Sequence, residues 1–207
     1  MKCSTKHYRV REWAAGASLA CAAFVAQCSS TESSHGAAAR SGAADGDASI
    51  AAWNVVYGVL QSPRCMNCHP AGDVPLQGDD SHAHAQYVQR GHDGSGLFAM
   101  RCATCHQNQN VEGVHLPPGA PGWRLPAADM PLVFEGRSAG DLCRQLKDPK
   151  RNGGRSPEQL FEHIAKDPLV LWGWNPGVGR APVATSHDEL VNAMRTWIDG
   201  GCGCPEK

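Results

Sequence analysis

Two short stretches of this chain share one pattern: Cys65-Met66-Asn67-Cys68-His69 and Cys102-Ala103-Thr104-Cys105-His106. Each is C-x-x-C-H, the pattern at which c-type haem is attached. Two cysteines three positions apart lie on one helical turn, so both sulfurs can form thioethers to the vinyl groups on one porphyrin edge. The histidine that follows can then bind the iron as the proximal ligand. The pattern therefore predicts two covalently attached c-type haems.

Two other interpretations of the cysteine pairs fit the sequence less well. A redox dithiol normally lies in an alternating strand–helix context, which this sequence lacks. Two C-x-x-C pairs could also hold a tetrahedral zinc ion, but zinc does not require a histidine directly after the second cysteine of both copies. The repeated histidine therefore favours haem, with cofactor-binding residues as follows: Cys65, Cys68, His69, Cys102, Cys105 and His106.

The composition indicates that the polypeptide alone would form a thin core. Hydrophobic residues make up 42% of the 207-residue chain, while glycine and proline contribute 23 and 14 residues. The stretch 70–101 is rich in Gly, Asp, Gln and His and holds only scattered apolar residues. Against a porphyrin face, those few side chains would have a large surface to cover, so the cofactor would replace missing core.

Four amphipathic helices are predicted around this centre. The first runs from about Ala48 to Gln61, and the others begin at N-cap serines followed three residues later by Asp, Gln or Glu. The predicted spans after the first are these: Ser138 to Asp148, Ser156 to Asp167 and Ser186 to Gly200. No convincing strand is visible. The predicted fold class is all-α, a loop-rich cytochrome-c-like domain organised around two covalent haems.

The amino-terminal residues predict an export signal followed by a linker. Residues 1–28 combine a basic start with a short apolar run, and residues 29–47 are almost wholly small or polar. Residues 48–207 then form one dihaem domain. The segment ending at Cys28 is similar to a bacterial lipoprotein signal, but Gln27 departs from that pattern. Plain cleavage and lipid attachment at Cys28 both remain open, and the expected location is the periplasm, with membrane anchoring as the second alternative.

An oxidising compartment would also permit a disulfide. Outside the leader and the haem motifs the chain has Cys143, Cys202 and Cys204. We predict one bond from Cys143 to the carboxy-terminal tail and favour Cys204 over Cys202, while three free thiols are the alternative.

The sixth iron ligands are not fixed by a motif. His163 is the first candidate, because it falls on the apolar side of its predicted helix, where an unpaired imidazole is costly. His84 is the second, with Tyr87 and Val88 at helical spacing after it. His115, before a proline-rich loop, and Met130 as a thioether also remain open.

Charge excludes a nucleic-acid partner. The chain has 19 Lys and Arg against 20 Asp and Glu, and the first 28 residues hold four of the basic and one of the acidic residues. The remainder has 15 basic and 19 acidic side chains, a net charge near −4. Such a surface would attract basic protein partners rather than DNA or RNA.

Three runs carry a resemblance to a known family: residues 100–107, Met-Arg-Cys-Ala-Thr-Cys-His-Gln; residues 142–149, Leu-Cys-Arg-Gln-Leu-Lys-Asp-Pro; and residues 167–177, Asp-Pro-Leu-Val-Leu-Trp-Gly-Trp-Asn-Pro-Gly. Together they resemble small exported bacterial cytochrome-c-like proteins that are often labelled as a subunit of isoquinoline 1-oxidoreductase. The resemblance covers roughly Ala48 to Pro205. It implies that a periplasmic oxidoreductase, such as a molybdenum hydroxylase, donates electrons to the protein.

The expected function is therefore electron transfer by a dihaem c-type cytochrome, one electron at a time, between a periplasmic oxidoreductase and another carrier. Such a role requires no catalytic residue. Two alternatives remain: a dihaem peroxidase-like enzyme with one open iron site, and a haem-containing assembly or sensor subunit.

Overall fold

The computed structural model describes the backbone of residues 34–207 and the side chains from residue 46. The predicted export signal with Cys28, and the first part of the predicted linker, lie outside the described residues. The helices are α1 (Ser34–Leu60), α2 (Pro63–Met66), α3 (Ala139–Lys147), α4 (Pro157–Lys166), α5 (Pro168–Leu171) and α6 (His187–Asp199), with 3₁₀ turns at Cys102–Thr104 and Trp172–Trp174.

The first helix is longer than the sequence predicted. We expected it to begin near Ala48, but α1 starts at Ser34, so residues 34–47 of the predicted flexible linker are helical. The physical reason is composition: alanine has the highest intrinsic helix propensity, and this stretch is rich in it. The low hydrophobicity of residues 34–47 argued against a packed core in this stretch, but a helix does not require one.

The serine caps are confirmed in the three later helices. Ser138 accepts a hydrogen bond from the Asp141 amide, and Ser186 accepts one from the Glu189 amide. At α4 the whole capping box is formed, since Ser156 accepts from the Gln159 amide and the Gln159 side chain accepts from the Ser156 amide. Each cap satisfies amides that the first helical turn leaves without a partner.

The prediction that the chain contains no strand was wrong, because the described residues include four strands of two residues each. Two antiparallel hairpins are present, β1 (Leu76–Gln77) with β2 (His82–Ala83), and β3 (Gly96–Leu97) with β4 (Met100–Arg101). Two-residue strands are too short to show hydrophobic alternation in the sequence. They form because tight turns bring the chain back on itself, and Gly78 and Ser81 in the turn between β1 and β2 adopt positive φ values of 79° and 55°.

The core lies between α1, α3, α4 and α6. Trp53 of α1 and Trp197 of α6 are fully buried, with ring centroids 5.0 Å apart. Ser49, also buried, donates to the Trp197 carbonyl at 2.8 Å and accepts from the Gly203 amide at 2.9 Å. Helix α6 and the carboxy-terminal tail are thus fixed against α1.

The predicted disulfide is confirmed with the favoured partner. Cys143 of α3 is bonded to Cys204, and their Cα atoms are 5.6 Å apart. Cys202 is instead buried among the core residues. The bond fixes the carboxy-terminal tail to the helical core.

Residues 67–138 form the long loop region that carries most of both motifs, and a buried arginine holds it together. Arg90 is 1% exposed. Its guanidinium donates to the carbonyls of Gly72 (2.8 Å) and Pro126 (2.9 Å) and to the carboxylate of Asp73 (3.2 Å). One side chain therefore ties together three distant stretches of irregular backbone, which have few hydrogen bonds of their own.

Among residues 34–207, none of the helices combines the length and apolar character needed to cross a membrane.

Candidate functional site

The first motif begins in α2 and ends at a histidine fixed against the core. The His69 Nδ1 donates to the carbonyl of Leu132 at 2.7 Å. Its ring stacks on Phe134, with centroids 3.8 Å apart and planes 10° apart, and Phe134 is itself a buried core residue. The Phe134 amide donates to the His69 carbonyl at 2.9 Å. His69 is thus held by both its ring and its backbone.

The second motif repeats this arrangement with different partners. The Cys102 amide donates to the Ser95 carbonyl at 3.0 Å, which joins the 3₁₀ turn to the β3–β4 hairpin. The His106 Nδ1 donates to the Pro118 carbonyl at 2.7 Å. Its ring stacks on Trp123, with centroids 4.4 Å apart and planes 6° apart.

The shared arrangement has a chemical consequence for both histidines. A carbonyl oxygen can only accept, so each Nδ1 carries the proton and each Nε2 is left as the basic nitrogen. A backbone carbonyl on the second ring nitrogen is the usual way in which a metal-binding histidine is oriented. With the proton on Nδ1, His69 and His106 can each bind a metal through Nε2.

The two thiols of the first motif lack the lowered pKa of a redox dithiol. Cys65, Cys68, Cys102 and Cys105 are free thiols. Burial raises the pKa of Cys65 to about 11 and that of Cys68 to about 12. A dithiol active site requires the opposite shift, because the thiolate is the reactive form. After burial, which is the largest cause, the charge of Cys65 and a smaller contribution from Cys102 also raise the pKa of Cys68.

His84, the second candidate for a sixth ligand, lies beside the second motif. Its ring centroid is 6.3 Å from that of His106, at an angle of 69° between planes. Its Nδ1 is buried and has no hydrogen-bond partner. The tertiary structure thus brings together two histidines that are separated by the β3–β4 hairpin and most of the second motif.

His163, the first candidate, lies on α4, and after burial the charge of its protonated form helps to lower the pKa of His69 in the first motif. The carboxylate of Asp167 accepts from its Nδ1 at 2.9 Å. The other Asp167 oxygen accepts from the Leu169 amide at the start of α5, which fixes the carboxylate. Nδ1 of His163 is therefore occupied, as in His69 and His106.

All four of these imidazoles are held neutral by their surroundings. Burial lowers the pKa of His69 to about 4 and lowers the pKa values of His84, His106 and His163. Neutral imidazole is the form that binds metal ions.

The other two candidate ligands are placed differently. His115 is exposed and adopts a positive φ of 63°, in the loop between His106 and Pro118. Met130 is half-buried near Gly153. Neither is in ring or hydrogen-bond contact with His69 or His106 among the contacts of the described residues.

Sequence reasoning missed the groups that orient the two motif histidines. Leu132 and Pro118 act through main-chain carbonyls, which no side-chain pattern can signal, and Leu132 is 63 residues from His69. Phe134 and Trp123 had a weak signal, as aromatic residues in the glycine- and proline-rich loops, but no spacing to connect them to a motif.

A series of stacked side chains joins the two motifs. Arg64, directly before Cys65, lies over the Trp172 ring at 5.7 Å. Trp172 contacts Trp123 edge to face, with centroids 4.9 Å apart, and Trp123 stacks on His106. The position of one motif is therefore coupled to that of the other through continuous packing.

The segment that contains the second motif exposes several large apolar side chains. Most of the large exposed hydrophobic side chains among the described residues fall between residues 87 and 116: Tyr87, Leu97, Phe98, Met100, Val111, Val114 and Leu116. Phe98 is 94% exposed. Single exposed apolar residues are common, but this concentration on one segment fits a group with a large apolar face. Two open clefts of about 590 and 340 Å³ flank the motif, one lined by residues after His106 and one by residues before Cys102.

Gly119 lies in the loop that holds His106, and a substitution there would show whether stability depends on the path of that loop. A Cβ atom on Gly119 would lie 2.4 Å from the Gln107 carbonyl oxygen and 2.3 Å from that of Gln109. We therefore expect Gly119→Ala to displace Pro118 and cost about 1–3 kcal/mol of stability, as overpacking does. Chemical denaturation would measure this.

Gly72→Ala is the matched control, because Gly72 also lies in a loop and its Cβ would meet nothing within 4 Å. Equal stability of the two variants would contradict the expected role of Gly119.

Within the part of the chain that the structure describes, no group of three or more His, Cys, Asp or Glu side chains is arranged to hold a metal ion. A haem iron needs fewer protein ligands, because the porphyrin supplies four nitrogens and the protein supplies the axial positions. The residues present fit that requirement: one oriented histidine and two free thiols at each motif.

No protein-family model, curated protein or solved structure matches this chain significantly.

Proposed function

We propose that this protein is a dihaem c-type cytochrome that transfers electrons between protein partners. The observation that carries the proposal is the repeated site: at each C-x-x-C-H motif two thiols are free, and a carbonyl occupies Nδ1 of the histidine. One such site could arise as a packing detail. The same arrangement at both motifs, made with unrelated partners, supports a common cofactor.

Haem bound at these sites would supply an iron that gains and loses one electron. Cys65 and Cys68 would hold one haem, and Cys102 and Cys105 the other. The polypeptide would fix the orientation of the axial imidazoles through Leu132 and Pro118, and would keep them neutral by burial. Rigid ligands suit electron transfer, because the protein need not rearrange when the charge of the site changes.

For the first motif we propose His163 as the sixth ligand. The Asp167 carboxylate on its Nδ1 leaves Nε2 for the iron. Histidine on both sides of the iron would place the reduction potential lower than a methionine ligand would.

The proposed partners are redox proteins of the periplasm, with a molybdenum hydroxylase as the electron donor. The resemblance stated for residues 100–107, 142–149 and 167–177 supports this donor. The net negative charge after residue 28 would attract a basic partner surface, so association should weaken as salt concentration rises.

The proposal is tested by producing the full chain together with cytochrome c maturation machinery. We expect intact mass to show two covalent haems, and redox titration to show that both are reduced and reoxidised reversibly. Carbon monoxide should leave the visible spectrum of the reduced protein unchanged. A colourless protein with four alkylatable motif thiols would overturn the proposal, and carbon monoxide binding to the unmodified protein would favour the peroxidase-like alternative.

A further inference from the structure

His84 lies beside the second motif, where the C-x-x-C-H pattern does not identify a second histidine ligand. We propose that His84 and His106 bind the same haem iron, one imidazole on each side. This inference rests on the proposed function, since it requires a haem at the second motif.

The distance between the two rings matches that expected for two imidazoles bound to one metal. Metal–nitrogen bonds to histidine are about 2 Å long, and ring bonds of about 1.33 Å place each nitrogen about 1.1 Å from the ring centre. Two imidazoles on opposite sides of one metal therefore have centroids about 6 Å apart, which agrees with the observed 6.3 Å between His84 and His106. The edge-to-face pairs that pack directly are closer, with centroids 4.8 Å apart for Trp174 and His187 and 4.9 Å apart for Trp123 and Trp172.

The hydrogen bonding of His84 supplies a second, independent observation. Its Nδ1 is buried and makes no hydrogen bond, while the Gln86 side chain hydrogen-bonds to the ring. A buried polar nitrogen that makes no hydrogen bond is costly unless it binds something else. On the other side, the Pro118 carbonyl occupies Nδ1 of His106 and leaves Nε2 as the basic nitrogen. Each ring thus has a nitrogen that a metal between them would use.

The β1–β2 hairpin explains how His84 is held in place. His84 directly follows β2, and its amide donates to the Pro75 carbonyl at 2.9 Å, next to the register pair Leu76 and Ala83. The Tyr87 amide in turn donates to the His84 carbonyl at 2.9 Å. The backbone on both sides of His84 is therefore fixed, which an axial ligand requires.

The test compares His84→Ala with His82→Ala in the dihaem protein. Without the His84 imidazole, one of the two irons should become five-coordinate, so carbon monoxide binding should rise from none to one per chain while both haems remain attached by mass. Added imidazole should restore the original spectrum. His82 is exposed and only two residues away, and its side chain hydrogen-bonds to Asp80 and Gln77 rather than to the second motif, so its removal should leave carbon monoxide binding at none.

A second variant covers the case in which His84→Ala does not fold. His84→Met supplies a thioether, so one haem should keep six-coordinate iron and show a higher reduction potential, while the other is unchanged. Unaltered spectra and potentials in the His84 variants would overturn the assignment. Failure of the unmodified protein to carry two haems is a separate result and would count against the proposed function itself.

Discussion

Replacing both cysteines of the first motif, Cys65→Ala with Cys68→Ala, is expected to reduce the covalently bound haem from two per chain to one. In the proposed dihaem protein, thioether bonds would hold each haem through denaturation, whereas the histidine ligands alone would not. Intact mass under denaturing conditions and haem staining of gels measure the change directly. The reciprocal pair, Cys102→Ala with Cys105→Ala, should give the same count and leave the haem at the first motif.

The matched control removes two cysteines that lie outside the motifs. Cys143→Ala with Cys204→Ala should retain two haems, because these residues form the disulfide. If the motif variants still carried two covalent haems, the assignment of the attachment cysteines would be wrong.

The same disulfide variant has the second large expected effect, on stability. Cys143 and Cys204 are 61 residues apart in the chain. Closing a loop of this length lowers the entropy of the unfolded chain and stabilises the fold by about 4 kcal/mol in the loop-entropy model. We therefore expect Cys143→Ala with Cys204→Ala to lower the free energy of unfolding by about that amount, measured by urea denaturation of the haem-loaded protein.

Treatment with a reducing agent distinguishes the contribution of the disulfide to stability from the effect of replacing the cysteine side chains. Reduction should destabilise the unmodified protein toward the level of the double variant, and it should leave the double variant unchanged. A difference below about 1 kcal/mol between the proteins would show that the bond contributes little.

The sequence alone predicted the features that depend on near neighbours. The three capped helices follow from serines whose hydrogen bonds reach only three residues along the chain. The C-x-x-C-H motifs are equally local. The disulfide is an exception in its span, and it could be predicted because few cysteines remain after the leader and the motifs are set aside.

The short strands and the start of α1 escaped prediction for different reasons. The hairpins contain two residues per strand, too few to form a pattern. The stretch 34–47 has no periodic pattern of apolar residues in its sequence, and only its alanine content favoured a helix.

What only the tertiary structure decided is the surroundings of each motif histidine. The carbonyl of Leu132 reaches His69 from 63 residues away, Trp123 stacks on His106, and His84 comes within 6.3 Å of the same ring. These contacts depend on the path of the long loops, which buried Arg90 and close approaches such as that at Gly119 determine. A local sequence pattern can predict which side chains a site contains. Which nitrogen of each histidine is available for binding depends on hydrogen bonds between residues that are distant in sequence, because only folding brings those residues together.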